Sequence, residues 1–577
     1  LKKLLVYLKD YKKESILGPL FKMLEAAFEL LVPLVMAGLI DHGIGSRDSG
    51  YILRMCLLLV GLGALGLASS ATAQYFAAKA ATGFGLKVRH ALFAHIQSLS
   101  FAELDTLGTS TLVTRMTSDM NQVQSGVNMT LRLLLRSPFI VFGAMAMAFT
   151  LDTPSALIFA IAIPTLSVVV FGIMLWSIPL YKRVQARLDS VLDSTHENLT
   201  GVRVLRAFCK EEEETADYSA RNEALTHAQK YVGRISALMN PLTYIIINLA
   251  ILWLIWTGAL RVEAGILTQG VVVALYNYMS QILVELIKLA NLIITITRAV
   301  ACGNRIQDVM NIQPSMPKTG GIAPLAAGEP AIEFRDVALR YPNAGETALA
   351  GLTLTVGRGQ TIGVIGGTGS GKTTLVNLIP RFYDATAGCV LVDGVDVKSY
   401  PIDALRWKIG VVPQQAVLFQ GTLRENLLWG KPDATDAELW NALTYSQAKG
   451  VAEEKGGLDF AIEQGGRNLS GGQKQRFTIA RALVRQPEIL ILDDSASALD
   501  YATDAALRKA IREMPNRPTV MIVSQRAASI QFADRIVVLD DGAVAGIGTS
   551  DQLLTSCDVY REIYESQFPK EGTTDGE

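Results

Sequence analysis

A chain of 577 residues exceeds one ordinary core and points to two or more domains. Its 53 basic and 54 acidic side chains cancel to a net charge of −1, which excludes the strongly basic balance of a nucleic-acid binder. Half of the residues are hydrophobic and mean hydropathy is +0.29, unusual for a wholly soluble chain. The long apolar stretches all fall in the amino-terminal half, so the chain divides into a membrane part and a soluble part. Five cysteines (Cys56, Cys209, Cys302, Cys389, Cys557) include no CxxC pair, so neither a disulfide framework nor a zinc site is indicated.

The first thirteen residues, Leu1 to Lys13, form a basic amphipathic stretch without the apolar core and small-residue cleavage site of a signal peptide. It reads as an interfacial helix leading into the membrane. A span needs about 20 mainly apolar residues. Six segments qualify, near Ile16 to Ile40, Tyr51 to Ala78, Val127 to Leu151, Ser155 to Leu180, Met239 to Leu260 and Val271 to Ile294. Connections after the first, third and fifth are short, and those after the second and fourth are long, charged and helical in pattern. Lys2, Lys3, Lys9, Lys12 and Lys13 before the first span, Lys87 and Arg89 after the second, and Lys182 and Arg183 after the fourth place that side in the cytoplasm. Six spans then return the soluble part to the same side.

Ionisable residues inside spans are costly, and each is a functional candidate. Lys22, Glu25 and Glu29 share one face of the first helix, and Glu285 and Lys288 stand three apart in the sixth. Lys22 with Glu25, and Glu285 with Lys288, are spaced to pair locally. Glu29 lies near the midplane with another acid as its helical neighbour. The expectation is that Glu29, with Glu285 as a second candidate, faces a substrate cavity and favours cationic compounds. Three N-x-S/T matches, at Asn128, Asn198 and Asn468, read as chance.

The soluble part opens its chemistry with a strand-like run, Thr361 to Ile365, followed by Gly366-Gly367-Thr368-Gly369-Ser370-Gly371-Lys372-Thr373-Thr374. This is G-x-x-x-x-G-K-S/T in its required setting, a strand before it and a helix after. Backbone N–H groups and a helix amino terminus then surround phosphates, Lys372 adds charge, and Thr373 offers a Mg²⁺ ligand. The buried strand Ile489 to Leu492 ends in Asp493 and Asp494, and Asp493 is the expected acid of the Mg²⁺ shell. ATP and Mg²⁺ are therefore the expected ligands.

With Leu469-Ser470-Gly471-Gly472-Gln473 added, the whole chain resembles an ATP-binding cassette (ABC) exporter half-transporter. The resemblance implies an α-helical membrane domain over 1–312, a linker over 313–329, an α/β P-loop cassette over 330–568 and a disordered tail over 569–577. It implies that Tyr341 stacks on adenine, that Gln414 contacts Mg²⁺ and senses the membrane domain, and that Ser497 to Asp500 crosses to an opposite cassette. Ser110 to Asp119 and Glu197 to Phe208 are similar to the loops that carry coupling helices in this family.

Two positions depart from the family pattern. Asp494 stands where a glutamate polarises the attacking water, and Gln525 where a histidine reads the γ-phosphate. Asp494 keeps the charge but loses a methylene of reach, and Gln525 hydrogen-bonds but does not titrate. The match is closest to the degenerate-site subunit of bacterial heterodimeric multidrug exporters. That resemblance implies a partner half-transporter with intact glutamate and histidine, and this chain's Ser470 to Gln473 completing the partner's site. Hydrophobic or amphipathic substrates follow from it, Glu29 adds the expectation of cationic ones, and the compact chain without a targeting extension suggests a bacterial plasma membrane. A gating subunit with little hydrolysis, or a slow homodimer exporting lipid or peptide, are the competing readings.

Overall fold

The computed structural model describes residues 3–316, 328–341 and 344–568. Most of the expected linker and all of the expected tail lie outside them. The chain forms two compact units, Leu1–Gln97 with Ser110–Ile312, and Ser98–Thr109 with Gln313–Glu577.

In the first unit a short 3₁₀ helix, Leu4–Tyr11, leads into α1 (Lys12–Gly38). It is followed by α2 (Ser49–Ser98) and, past α3 (Phe101–Leu107) of the other unit, by α4 (Thr109–Thr114), α5 (Met120–Leu133), α6 (Arg136–Leu151) and α7 (Thr153–Thr200). The remainder is α8 (Val202–Ala207), α9 (Glu211–Ala237), α10 (Met239–Glu263) and α11 (Gln269–Asn311). Among the described residues six helical stretches are long and apolar enough to cross a membrane, and each contains one predicted span. The turn from α6 to α7 is a single residue, Asp152, whose carboxylate caps α7 by accepting from Ser155 N (3.0 Å) and pairs with Arg261 of α10 (2.8 Å). α2 and α7 run far past the apolar stretches, as the long charged connections require.

The third span is interrupted at Leu134 and Leu135, between α5 and α6. Pro138 explains the break, because it has no N–H to give the Leu134 carbonyl. Small side chains pack the bundle interior: Ala26, Ala144, Ala148 and Ala156 are fully buried with Phe159, Leu166 and Tyr278. Close backbone approach of this kind is what holds helices together where lipid removes the hydrophobic drive.

The second unit is α/β. A six-stranded sheet runs β12 (Ala543–Gly548), β11 (Arg535–Asp540), β3 (Thr361–Gly366), β10 (Thr519–Val523), β9 (Ile489–Asp493) and β6 (Ile409–Val412). All its neighbours are parallel except the edge strand β12. A four-stranded antiparallel sheet of β2 (Leu349–Val356), β1 (Ile332–Leu339), β4 (Ala387–Val392) and β5 (Val395–Asp396) lies beside it in sequence and shares one core with it. Of the cassette helices, α12 (Lys372–Leu378) follows β3, and α17 (Gly471–Val484), α18 (Tyr501–Arg512) and α20 (Asp558–Gln567) recur below. The central strands are apolar apart from Asp493 at the end of β9 and Thr519 at the start of β10, and every residue of both is buried, as in parallel strands covered on both faces.

The helix α3 clusters with the cassette. Phe101 packs on Phe382 (ring centroids 4.7 Å), and the Tyr383 hydroxyl donates to Asp105. The contact therefore comes from the residues just before Ser110 to Asp119. Ser110 to Asp119 belongs to the membrane unit, where Asp119 pairs with Arg115 and Arg305.

Candidate functional site

β3, β10 and β9 are adjacent and parallel, so the segments leaving their carboxyl ends meet at one edge of the sheet. Those segments are the glycine loop after β3, Ser524 and Gln525 after β10, and Asp494 after β9. Gln414 follows β6, the next strand along.

The loop's glycines have a physical reason. A Cβ on Gly366 would lie 2.1 Å from the Leu539 carbonyl oxygen, and Gly371 has φ +89° with its Cβ position 2.5 Å from the Ala348 oxygen. Lys372 is buried, and its Nζ donates to the carbonyls of Gly367 (2.6 Å) and Gly366 (3.0 Å). Burial lowers the pKa of this lysine, against the opposing pull of Asp494 and Asp493. A buried ammonium held by two carbonyls and the Ser370 hydroxyl (3.4 Å), with two acids at a distance, fits an anionic ligand such as a phosphate chain.

Thr373 Oγ1 donates to Asp493 Oδ1 at 3.1 Å. Burial pushes the Asp493 carboxyl up, the Thr373 bond opposing. A hydroxyl and a carboxylate at this spacing, facing a phosphate loop, form the oxygen donor set that a hard divalent cation requires. Bound there, Mg²⁺ would neutralise charge on the β- and γ-phosphates.

Asp494 takes the left-handed backbone conformation, φ +44°, which aspartate tolerates better than most residues. Its N–H donates to the Val523 carbonyl (3.0 Å), two residues before Gln525, and its carboxylate lies 3.4 Å from Gln414 Nε2. Burial raises its pKa, with Arg526 opposing. Three predicted residues, Gln414, Asp494 and Gln525, thus converge beside the loop. Tyr341 donates or accepts a 3.0 Å bond with Thr374 Oγ1 and sits edge-on to Tyr383 at 5.0 Å.

The signature residues are not part of this cluster: among the described residues no hydrogen bond or ion pair joins Ser470, Gly471, Gly472 or Gln473 to the loop. They begin α17, where Ser470 and Gln473 form a reciprocal capping box. Gln475, one turn further, is buried and reaches the Pro413 carbonyl at 3.5 Å, next to Gln414.

Two residues outside the predicted set organise the switch. Arg526 donates to the carbonyls of Ser497 (3.1 Å) and Leu499 (3.5 Å), tying the switch to Ser497–Asp500. Gln567, at the end of α20, bonds the backbone on either side of Arg526. Arg526 directly follows Gln525 at the end of the switch run, whereas Gln567 belongs to no short motif that sequence reading could find.

In the membrane unit the local pairs form as spaced, Lys22 with Glu25 at 2.5 Å and Lys288 with Glu285 at 2.8 Å. Glu29 is not left with acids alone: Arg136 of α6 donates to it at 2.7 Å and to Glu285 at 2.6 Å. Glu285 also accepts from Ser137 (2.8 Å), and it is buried behind Arg136 rather than on a cavity wall. Arg136 falls within the third predicted span, and the cost of charge in lipid that singles out Glu29 singles it out equally.

A helical membrane unit joined to a phosphate-loop α/β unit defines a membrane-spanning nucleotide-driven translocase. The chain belongs to the ABC transporters. The family model for the ABC transporter transmembrane region matches residues 15–286, and that for the ABC transporter matches 349–497. An uncharacterized ABC transporter ATP-binding protein of Mycobacterium tuberculosis is 35% identical, covering 97% of each chain. An ATP-dependent lipid A-core flippase of Desulfotalea psychrophila is 32% identical over 82% of this chain and 83% of its own. A putative multidrug export ATP-binding/permease protein of Bacillus subtilis is 29% identical over 98% and 99%. The fold matches that of a bacterial Atm1-family ABC exporter with ATP bound, at a TM-score of 0.80 and 23% identity, over 97% and 99%. The chain is accordingly a multi-pass ABC transporter protein with an ATP-hydrolysing cassette.

Proposed function

We propose that this chain is one half of a heterodimeric exporter that moves hydrophobic or amphipathic compounds out across the plasma membrane. Its own nucleotide site holds ATP and cuts it slowly. The observation that carries the reading is the contrast within one sheet edge: Lys372, Thr373 and Asp493 are all in place, whereas Asp494 and Gln525 replace the two groups that activate and read the attacking water. A general base must reach hydrogen-bond distance, and about 1 Å of misplacement costs about a hundredfold. Asp494 is one methylene short.

The open face of Gly471, and the exposed Val202 and Val204 of α8 with Phe208 just after it, support a second cassette as the partner. In the closed pair this chain's Ser470 to Gln473 completes the partner's site, and ATP bridging the cassettes biases the spans between two states. The basic amino terminus and the ATP requirement favour a cytoplasmic cassette. A multidrug or lipid-like cargo is supported by the similarity to exporters of both descriptions.

Steady-state Mg-ATP turnover of the purified chain tests the reading. Slow turnover alone that rises on adding a half-transporter with glutamate and histidine is expected. Rapid turnover by the chain alone overturns it.

A further inference from the structure

We infer that a cavity beneath the cassette sheet is a binding site for small phosphate monoesters with an apolar body, read by Arg512 and Arg517. The cavity measures about 330 Å³, at the small end of ligand pockets. Gly359 and Thr361, where β3 begins, and Pro518 and Val520, where β10 begins, belong to its lining. The phosphate loop leaves the opposite, carboxyl end of β3, so this is a second site. Leu492 of β9, Ile511 of α18 and Ile522 of β10 are buried side chains that give it an apolar floor. Three guanidiniums line it as well, from Arg508 and Arg512, one turn apart on α18, and from Arg517 in the turn that follows.

The charge of the ligand follows from which of these groups are already engaged. Arg508 pairs with Asp504 at 3.3 Å, donates to that residue's carbonyl at 3.2 Å and lies over the Phe532 ring, 4.2 Å from its centroid. Arg512 has only a longer contact with the same ring, at 5.5 Å, and among the described residues neither Arg512 nor Arg517 pairs with a carboxylate. The acids nearby are engaged elsewhere. Asp504 is buried against Arg508 and Ser529, Glu513 faces Lys509 along α18 at 4.0 Å, and Asp534, the one acid of the lining, accepts from the Thr361 N–H at 2.7 Å. Asp504 and Asp534 together leave the three arginines with an excess of one positive charge. Arg517 also holds φ +39°, a backbone region that glycine or asparagine adopts at less cost, yet this turn presents an arginine to the cavity.

A phosphate monoester brings up to two negative charges and three terminal oxygens, enough to accept from both unpaired forks at once, whereas a carboxylate has one charge and two oxygens. Its organic group is then received by the apolar floor. The site stands apart from the export reading and needs no partner subunit. The test uses the full-length chain in lipid nanodiscs with excess Mg-ADP to occupy the phosphate loop. 1-Naphthyl phosphate is titrated calorimetrically, with empty nanodiscs as background. One saturable site is expected, with methyl phosphate, which lacks the apolar body, and 1-naphthoate, which lacks the second charge, each at least about tenfold weaker. Arg512→Gln combined with Arg517→Gln weakens 1-naphthyl phosphate at least about tenfold and, because both side chains are exposed, leaves the melting temperature unchanged. Lys509→Gln removes a charge from α18 outside the lining and keeps wild-type affinity. Absence of saturable binding, wild-type affinity in the double variant, an equal loss in Lys509→Gln, or equal affinity for methyl phosphate or 1-naphthoate overturns the site.

Discussion

The side-chain amide of Gln567 spans the switch: its Nε2 donates to the Gln525 carbonyl and its Oε1 accepts from the Ala527 N–H, both at 2.8 Å. A helix remote in sequence thereby holds the backbone that presents Gln525. α20 is itself anchored by Tyr560, which is fully buried. Gln567→Ala removes both bonds and is expected to cost about 1–2 kcal/mol of cassette stability. Nucleotide release, followed with a fluorescent ATP analogue, becomes several-fold faster. Gln567→Glu retains the acceptor for Ala527 and loses the donor to Gln525, so it falls between the two.

Gly471 and Gly472 are adjacent yet predict opposite failures. A Cβ on Gly471 meets nothing within 4 Å, whereas one on Gly472 stands 3.0 Å from the Ala498 carbonyl oxygen. Gly471→Asp leaves the melting temperature of the isolated chain unchanged and, on the proposed pairing with a second half-transporter, removes most ATP turnover of the pair by blocking the face offered to the partner's nucleotide. Gly472→Asp lowers the melting temperature of the chain itself. Thermal denaturation beside ATPase assays separates the two.

Asp493 carries a stability cost when no ligand is bound. Burial raises its pKa above the unfolded value, so the folded chain binds that proton more tightly, and stability falls as pH rises from the unfolded pKa through the folded one. Above the folded pKa the cost is fully present. Asp493→Asn is therefore expected to raise the nucleotide-free melting temperature, by about 1 kcal/mol equivalent, while abolishing Mg²⁺-dependent ATP binding. The stabilisation vanishes when the two proteins are compared below the unfolded carboxyl pKa.

Arg136 joins three spans by pairing Glu29 of α1 and Glu285 of α11 from the start of α6. Arg136→Ala leaves Glu285, 2% exposed, with only Lys288 and Ser137, and is expected to cost about 3 kcal/mol or more. Yield of folded protein in mild detergent measures this. Arg136→Ala combined with Glu285→Gln recovers much of the loss, because the uncompensated buried charge goes with it.

The sequence alone determined the parts whose chemistry is local. Apolar length defines six spans without reference to neighbours, and the strand, glycine loop and helix around Lys372 are contiguous, so their geometry follows from residues a few positions apart. Asp494 and Gln525 are visible as substitutions for the same reason. Tertiary structure alone decided which distant groups meet. Glu29 looked acid-flanked along its own helix, yet its partner Arg136 arrives from a residue 107 positions away. Gln567 has no motif because its role is only to reach a backbone 42 residues earlier. α3 joins the cassette because Phe101 and Asp105 find Phe382 and Tyr383 across the fold. Periodicity and spacing report what a chain presents along one helix or loop. Ion pairs, cavities and clamps depend on which faces are packed together, and lipid or burial makes an unmatched charge costly enough to select those pairings.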